Sequence, residues 1–258
     1  MTSAECIHGF DQGLCDICFP KKPVVPPRAI RASRAATPVR APRPAQSRSA
    51  SSAPPVSLLD QRVFHVTHVR NFEGIIGAGG LVAGERPEVD LSSDLARELR
   101  ATAEVAPGEP VSEYVPWYLS ADATVWNELR AGASDPRWSA AARAVAPSDL
   151  VVLVSTVRDL TASGTVVVAD GDAAGTYTRF AAESDQVLRM LSRLHNAEEA
   201  LGAELLVKAL VPFEAVQVIG VANDPARDRV RSLLTGASIT ARVSVYPPWF
   251  VPSSTIAP

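Results

Sequence analysis

Two groups of residues in this chain have types and spacings suited to chemistry. At the N-terminus, Cys6-x-His8-x6-Cys15-x2-Cys18 gathers four thiolate or imidazole groups within 13 residues. Zinc takes four such ligands in a tetrahedron, and Cys-x2-Cys is the knuckle that offers two thiolates to one ion. Gly9, Gly13 and Pro20 supply tight turns around it. A segment this short buries no core, so metal binding would be most of its folding free energy. Four protein ligands leave no open coordination position, and the expected role of the zinc is structural. The second group is dispersed. His65 and Thr67, in His65-x-Thr67-His68, fall on one face of a strand because side chains alternate there. Arg97 and Arg100 follow, then Tyr114-Val115-Pro116-Trp117-Tyr118, and finally Glu204 opening Ala203–Val207. Such groups bind polar ligands, hold anions and carry protons. Taken singly, each has a plainer explanation: a satisfied strand histidine, a solvated arginine face, core aromatics, a surface glutamate.

The elements that would position them are short. Arg62–Thr67 (RVFHVT) reads as a strand and Asn71–Ala78 as a helix stopped by Gly79-Gly80. Asp90–Thr102 has helical character. Tyr114–Leu119 is β-prone, but Pro116 confines it to an edge or irregular strand. Leu150–Ser155 and Thr165–Ala169 are expected strands. Ser184–Leu194 is an expected helix with Val187, Leu188, Leu191 and Leu194 on one face. Glu204–Leu210 and Ala215–Val221 are further strands, and Asp224-Pro225 opens a last helix by capping, with proline in its first turn. Short strands mixed with short helices indicate one α+β domain over residues 58–258. No Gly-rich phosphate fingerprint is present, which argues against a Rossmann or P-loop nucleotide site.

Composition bounds the class. Hydrophobic residues are 47% and charged residues 21% of the chain, ordinary values for a globular protein. No run approaches the roughly 18 apolar residues of a membrane span, and the N-terminus lacks the basic-then-apolar pattern of a signal peptide. The expected compartment is the cytosol, where three cysteines, all within the first 18 residues, favour metal over disulfides. Residues 20–57, rich in Pro, Ala, Arg and Ser, read as a disordered linker between a metal module at 1–19 and the domain. Through residue 55 the formal charge is +5 and thereafter −8. A basic arm on an acidic body is compatible with nucleic-acid contact without requiring it.

From about Arg62 to Leu234 the domain resembles the DarT family, enzymes that ADP-ribosylate bases of single-stranded DNA. The resemblance is carried by FHVTHVRNFEGIIGAGGL, by YVPWYLS after an arginine-containing stretch, and by AELLV followed by VPFEAVQVIGV. Trp117 stands where the family's YVPFYF-like motif has Phe. ADATVWNEL lacks the family's Pro-Met-Leu pattern, a departure that bears on the substrate pocket more than on the NAD site. The resemblance implies an ADP-ribosyltransferase fold: a split, strongly bent pair of sheets with NAD in the cleft. It implies that His65 and Thr67 hydrogen-bond the nicotinamide-side ribose and carboxamide region, that Asn71 helps place the dinucleotide, and that Tyr118 lines the nicotinamide pocket. Glu204 becomes the catalytic carboxylate, Arg100 or in its stead Arg97 the catalytic arginine, and His195–Gly202 the substrate-recognition loop.

The chemistry of those groups agrees. Breaking the bond from nicotinamide to ribose C1′ builds oxocarbenium character, which a nearby carboxylate stabilises. A protonated base nitrogen is a poor nucleophile until a general base takes its proton. Unpaired DNA avoids the cost of extruding a base from a duplex, so single-stranded DNA is the expected acceptor. An acceptor on RNA or protein, or a non-catalytic zinc-knuckle binding protein, are the alternatives. A DNA-modifying toxin would also call for a separately encoded antitoxin hydrolase.

Overall fold

The computed structural model describes residues 57–251. Cys6, His8, Cys15 and Cys18, and the expected linker up to residue 56, lie outside the described residues. In chain order the elements are β1 (Arg62–His68), α1 (Phe72–Gly77), β2 (Gly80–Val82), α2 (Asp94–Thr102), β3 (Glu104–Ala106), β4 (Glu109–Pro110), β5 (Tyr114–Tyr118) and α3 (Thr124–Arg130). There follow α4 (Ala140–Ala144), β6 (Leu150–Thr156), α5 (Val157–Ser163), β7 (Val166–Ala169), β8 (Phe180–Ala181), α6 (Ser184–Leu194), β9 (Glu204–Lys208) and β10 (Leu210–Pro212). β11 (Val218–Val221), α7 (Asp224–Gly236) and β12 (Arg242–Val245) complete the described chain. The fold is α+β, as expected. No described helix is long and apolar enough to cross a membrane.

Among the described residues, eight strands form one sheet in the order β12-β11-β6-β1-β5-β9-β7-β8. β6 (LVVLVST) opens with five successive apolar residues and is buried on both faces, as a central strand must be. It pairs with β1 over seven residue pairs, from Arg62↔Thr156 to His68↔Leu150. Between β1 and β5, by contrast, a single pair is made, Phe64↔Tyr118. The sheet is therefore split at this seam into two halves. On one face Trp117, Leu153 and Leu205 are fully buried. On the other, Phe64, Val152 and Val154 pack with Trp126 and Phe250.

Several elements depart from the sequence expectation. Tyr114–Tyr118 is an interior strand, paired with β9 over five residues. Pro116 is tolerated because β5 makes no ladder with β1 there. The Pro116 carbonyl instead accepts from a side chain, Nδ1 of His65, at 2.8 Å. The expected strand Glu204–Leu210 breaks at Ala209, whose φ of 63° turns the chain out of the sheet. That bend is held at both main-chain groups, with its N–H on Glu113 O and its carbonyl accepting from Ala83 N, both 2.8 Å. β10 then pairs with β2 as a separate ribbon. The expected strand Ala215–Val221 starts only at Val218, because Ala215 closes a 3₁₀ turn over Phe213–Ala215. Leu188 is 38% exposed, off the buried α6 face formed by Val187, Leu191 and Leu194. Helix α2 starts at Asp94 behind a Ser93 cap, and α7 is capped by Asn223 rather than Asp224.

Candidate active site

The register carries one row across four strands: Phe64 on β1, Tyr118 on β5, Glu204 on β9 and Ala169 on β7. β-branched and aromatic residues hold these strands in place, and the row sets Glu204 at the strand opening, next to the seam. Above the row β1 and β5 separate, and a cleft of about 810 Å³ opens there. His65, Thr67, Asn71, Arg100, Tyr118 and Glu204 all line it. Six residues spread over about 140 positions of sequence are thus brought to one cavity.

Glu204 is 4% exposed. Arg100 Nη1 donates to its Oε2 at 3.1 Å, and the Ala173 N–H reaches Oε1 at 3.4 Å. Burial pushes the Glu204 carboxyl above the usual range, opposed mainly by the Arg100 guanidinium, while Asp172 adds to the upward push. Arg100 has a second nitrogen, Nη2, that is buried and has no hydrogen-bond partner among the described residues. It is a donor awaiting an acceptor. Arg97 is spent elsewhere: its Nε donates to Asp90 Oδ2 at 2.6 Å and its Nη2 to the Glu85 carbonyl at 3.4 Å. Of the two arginines, Arg100 is the one joined to Glu204.

His65 lies against Trp117, ring centroids 5.6 Å apart. A carbonyl only accepts, so the His65 Nδ1 bonded to Pro116 carries the proton and Nε2 is the ring's acceptor. Burial lowers the His65 pKa from its ordinary value of 6.5, Arg100 lowers it further, and only the Pro116 carbonyl opposes. The ring is neutral at neutral pH. Burial and the charge of Glu204 raise the Tyr118 pKa, so its phenol stays a donor.

Asn71 is 4% exposed and its amide is already engaged. Nδ2 donates to Thr67 Oγ1 and to the Val89 carbonyl, both at 3.0 Å, and Oδ1 accepts from the Val89 N–H at 2.8 Å. It latches residues 83–92, which form one wall of the cleft, onto β1.

Two cleft residues escaped sequence reasoning. Arg137 Nη1 donates to Asp172 Oδ2 at 2.6 Å while its Nε holds Asp135 at 2.9 Å. Asp172 precedes Ala173, so Arg137 steadies the segment that touches Glu204. Both sit in loops with no periodicity to flag them. The segment His195–Gly202 does not line this cleft; His195–Glu198, Ala200 and Leu201 instead line a second cavity of about 630 Å³ with Gln61 and Leu119. Among the described residues, no His, Cys, Asp and Glu group is arranged to hold a metal ion.

The family model for DarT, ssDNA thymidine ADP-ribosyltransferase, matches residues 64–251. A DNA ADP-ribosyl transferase of Mycobacterium tuberculosis is 31% identical over 196 residues, spanning 68% of this chain and 82% of the relative. Among solved structures, Thermus sp. 2.9 DarT in complex with ADP-ribosylated ssDNA shares the fold with a TM-score of 0.62 at 20% identity. That match covers 74% of this chain and 96% of the other. The same protein in complex with NAD+ gives a TM-score of 0.60 at 21% identity, covering 74% and 98%. The family match runs from the strand of His65 through the strand of Glu204 to the end of the described chain, and this protein belongs to the DarT family of DNA ADP-ribosyltransferases.

Proposed function

We propose that this chain transfers ADP-ribose from NAD to the base of thymidine in single-stranded DNA, with Glu204 as the catalytic carboxylate and Arg100 as its partner. The observation that carries the reading is the Arg100–Glu204 pair at 3.1 Å, its carboxylate buried, at the mouth of a seam lined by His65, Thr67 and Tyr118. The family description and the two Thermus complexes support the substrates.

The C1′–nicotinamide bond breaks with its electron pair leaving on nicotinamide, and the ribose takes up positive charge. Ionised Glu204, itself only 4% exposed, stabilises that charge. The nitrogen of the base that attacks C1′ must lose its proton, and a carboxylate whose pKa is raised by burial is a stronger base for it. His65 Nε2 accepts from a ribose hydroxyl or the carboxamide, and Thr67 and Tyr118 line the same pocket. Arg100 Nη2 supplies a donor to the pyrophosphate or the base carbonyl. Asn71 acts through the wall it latches, orienting the dinucleotide indirectly.

Outside the described residues, Cys6, His8, Cys15 and Cys18 are proposed to hold one structural zinc, on spacing alone. Metal analysis of the purified chain tests this, and a protein free of zinc after expression in zinc-supplemented medium removes it. A mark on DNA also calls for a hydrolase that reverses it. Growth arrest on expression, relieved by a co-expressed ADP-ribosyl-DNA hydrolase, is the matching test.

The function itself is tested with purified chain, NAD and a mixed-sequence single-stranded oligonucleotide, read by mass spectrometry. The expected product is an oligonucleotide heavier by one ADP-ribose on thymidine, absent with Glu204→Gln. Full activity in Glu204→Gln, or label found only on protein or RNA, refutes the reading.

A further inference from the structure

β7 and β8 are joined by residues 170–179, a loop that leaves the sheet at Ala169, the register partner of Glu204. Its base is closed twice, by the Asp170 N–H on the Arg179 carbonyl at 3.1 Å and the Arg179 N–H on Asp170 Oδ1 at 2.8 Å. Inside it, two successive turns are made, Gly175 N–H to Asp172 O at 2.8 Å and Thr178 N–H to Gly175 O at 3.2 Å. The Thr178 hydroxyl also donates to the Asp172 carbonyl, at 2.5 Å. Arg137 holds the Asp172 carboxylate and the Ala173 N–H reaches Glu204, so the loop is anchored to the catalytic row.

At the tip of this anchored loop stands Tyr177, 93% exposed. Two residues on, the Arg179 side chain is 78% exposed, and Arg193 of α6 is 53% exposed. Both guanidiniums lean on the Asp170 carboxylate, which is itself only 13% exposed. Two cations on one shielded anion leave a positive face on a domain of negative charge. Tyr177 is four positions along the chain from Ala173, so its backbone lies within roughly 14 Å of the residue touching Glu204.

We infer that Tyr177, Arg179 and Arg193 form the docking point of the DNA strand beside the target base. The ring stacks on a neighbouring nucleobase, and the guanidiniums meet backbone phosphates. This rests on the proposed transfer to DNA in the cleft. Stacking on an aromatic ring accepts any base, because every base has a π face. Phosphate supplies the salt-dependent attraction. A protein ring can stack only on a base whose own stacking partner is absent, so the patch selects single strands over duplex.

Steady-state transfer to an oligonucleotide by the full chain tests it, comparing wild type with Tyr177→Ala, Tyr177→Phe and Arg179→Gln. At 93% exposure the ring contributes little to the fold. Tyr177→Ala is expected to raise KM for the oligonucleotide about tenfold or more, with KM for NAD unchanged. Tyr177→Phe, which keeps the ring, restores the wild-type value to within about twofold. Arg179→Gln flattens the slope of log binding constant against log salt by about 0.7. An oligonucleotide KM within twofold of wild type in Tyr177→Ala, or a Phe variant as impaired as Ala, overturns the inference alone. A wild-type chain that modifies no oligonucleotide overturns the reading of the cleft and this inference with it.

Discussion

Replacing Arg100 with glutamine should produce a stability defect that grows with pH. In the folded chain Arg100 faces Glu204 at 3.1 Å, with side-chain exposures of 21% and 5%. Removing one partner of a buried ion pair leaves a buried charge uncompensated, at about 3–5 kcal/mol. A fifth of the Arg100 side chain is in water, which places this pair near the lower figure, about 3 kcal/mol. The carboxylate escapes the penalty by taking a proton. Burial already holds its folded pKa above the ordinary 4.5, and losing Arg100 removes the main opposing influence and raises it further. A group raised in this way contributes fully below its unfolded pKa and loses that contribution as pH rises through the folded value. The gap between wild type and Arg100→Gln should therefore be small near about pH 5 and reach about 3 kcal/mol near about pH 8. For a domain of this size that corresponds to roughly 6–12 °C in Tm at the higher pH. Urea unfolding at the two pH values reads it directly. An equal loss at both would show that charge coupling is not what joins these residues, and the electrostatic account of Glu204 would fall.

Further outcomes follow from the same geometry. Asn71→Ala removes three hydrogen bonds of a buried side chain, costing about 2–3 kcal/mol, and should raise KM for NAD more than it lowers kcat; an unchanged KM would show that the latch on Val89 does not shape the cleft. With the His65 pKa pushed below 6.5 by burial, KM for NAD should be flat from about pH 7 to 8 and rise only at lower pH, where the ring gains a proton; a titration centred above 7 would contradict its neutral state. Gly80→Ala should unfold the ribbon of β2 and β10, because its Cβ would meet backbone at Val211 and Pro212. The expected loss is about 3 kcal/mol in chemical denaturation, and a loss below about 0.5 kcal/mol would refute the close approach.

What the sequence disclosed follows from the range over which each feature is encoded. Alternation in RVFHVT and the apolar run LVVLVS are local, so β1 and β6 could be read directly, and His65 and Thr67 placed on one strand. The amphipathic period of Ser184–Leu194 gave that helix its observed bounds. Pro116 misled, since its missing N–H argues against an interior strand unless the neighbouring strand has already diverged. That divergence is a tertiary fact with no local trace. The same holds for Asn71, whose partner Val89 lies 18 residues away in an aperiodic loop, and for Arg137 and Asp172, separated by 35. Glu204 could be nominated by family likeness, but its bond to Arg100 spans 104 residues and appears only in the folded chain.

The lone Phe64↔Tyr118 pair has a consequence for how such a pocket comes to exist at all. A sheet that zipped fully along β1 and β5 would close the gap with its own main chain. By stopping after one rung, the chain leaves β1 main-chain groups beyond Phe64, on the side away from β6, with no strand to answer them. A guest rich in hydroxyls, amides and phosphate oxygens can then complete the unfinished ladder. The cleft is an interruption in the sheet, and polar side chains such as His65, Thr67 and Tyr118 stand where further rungs would have run.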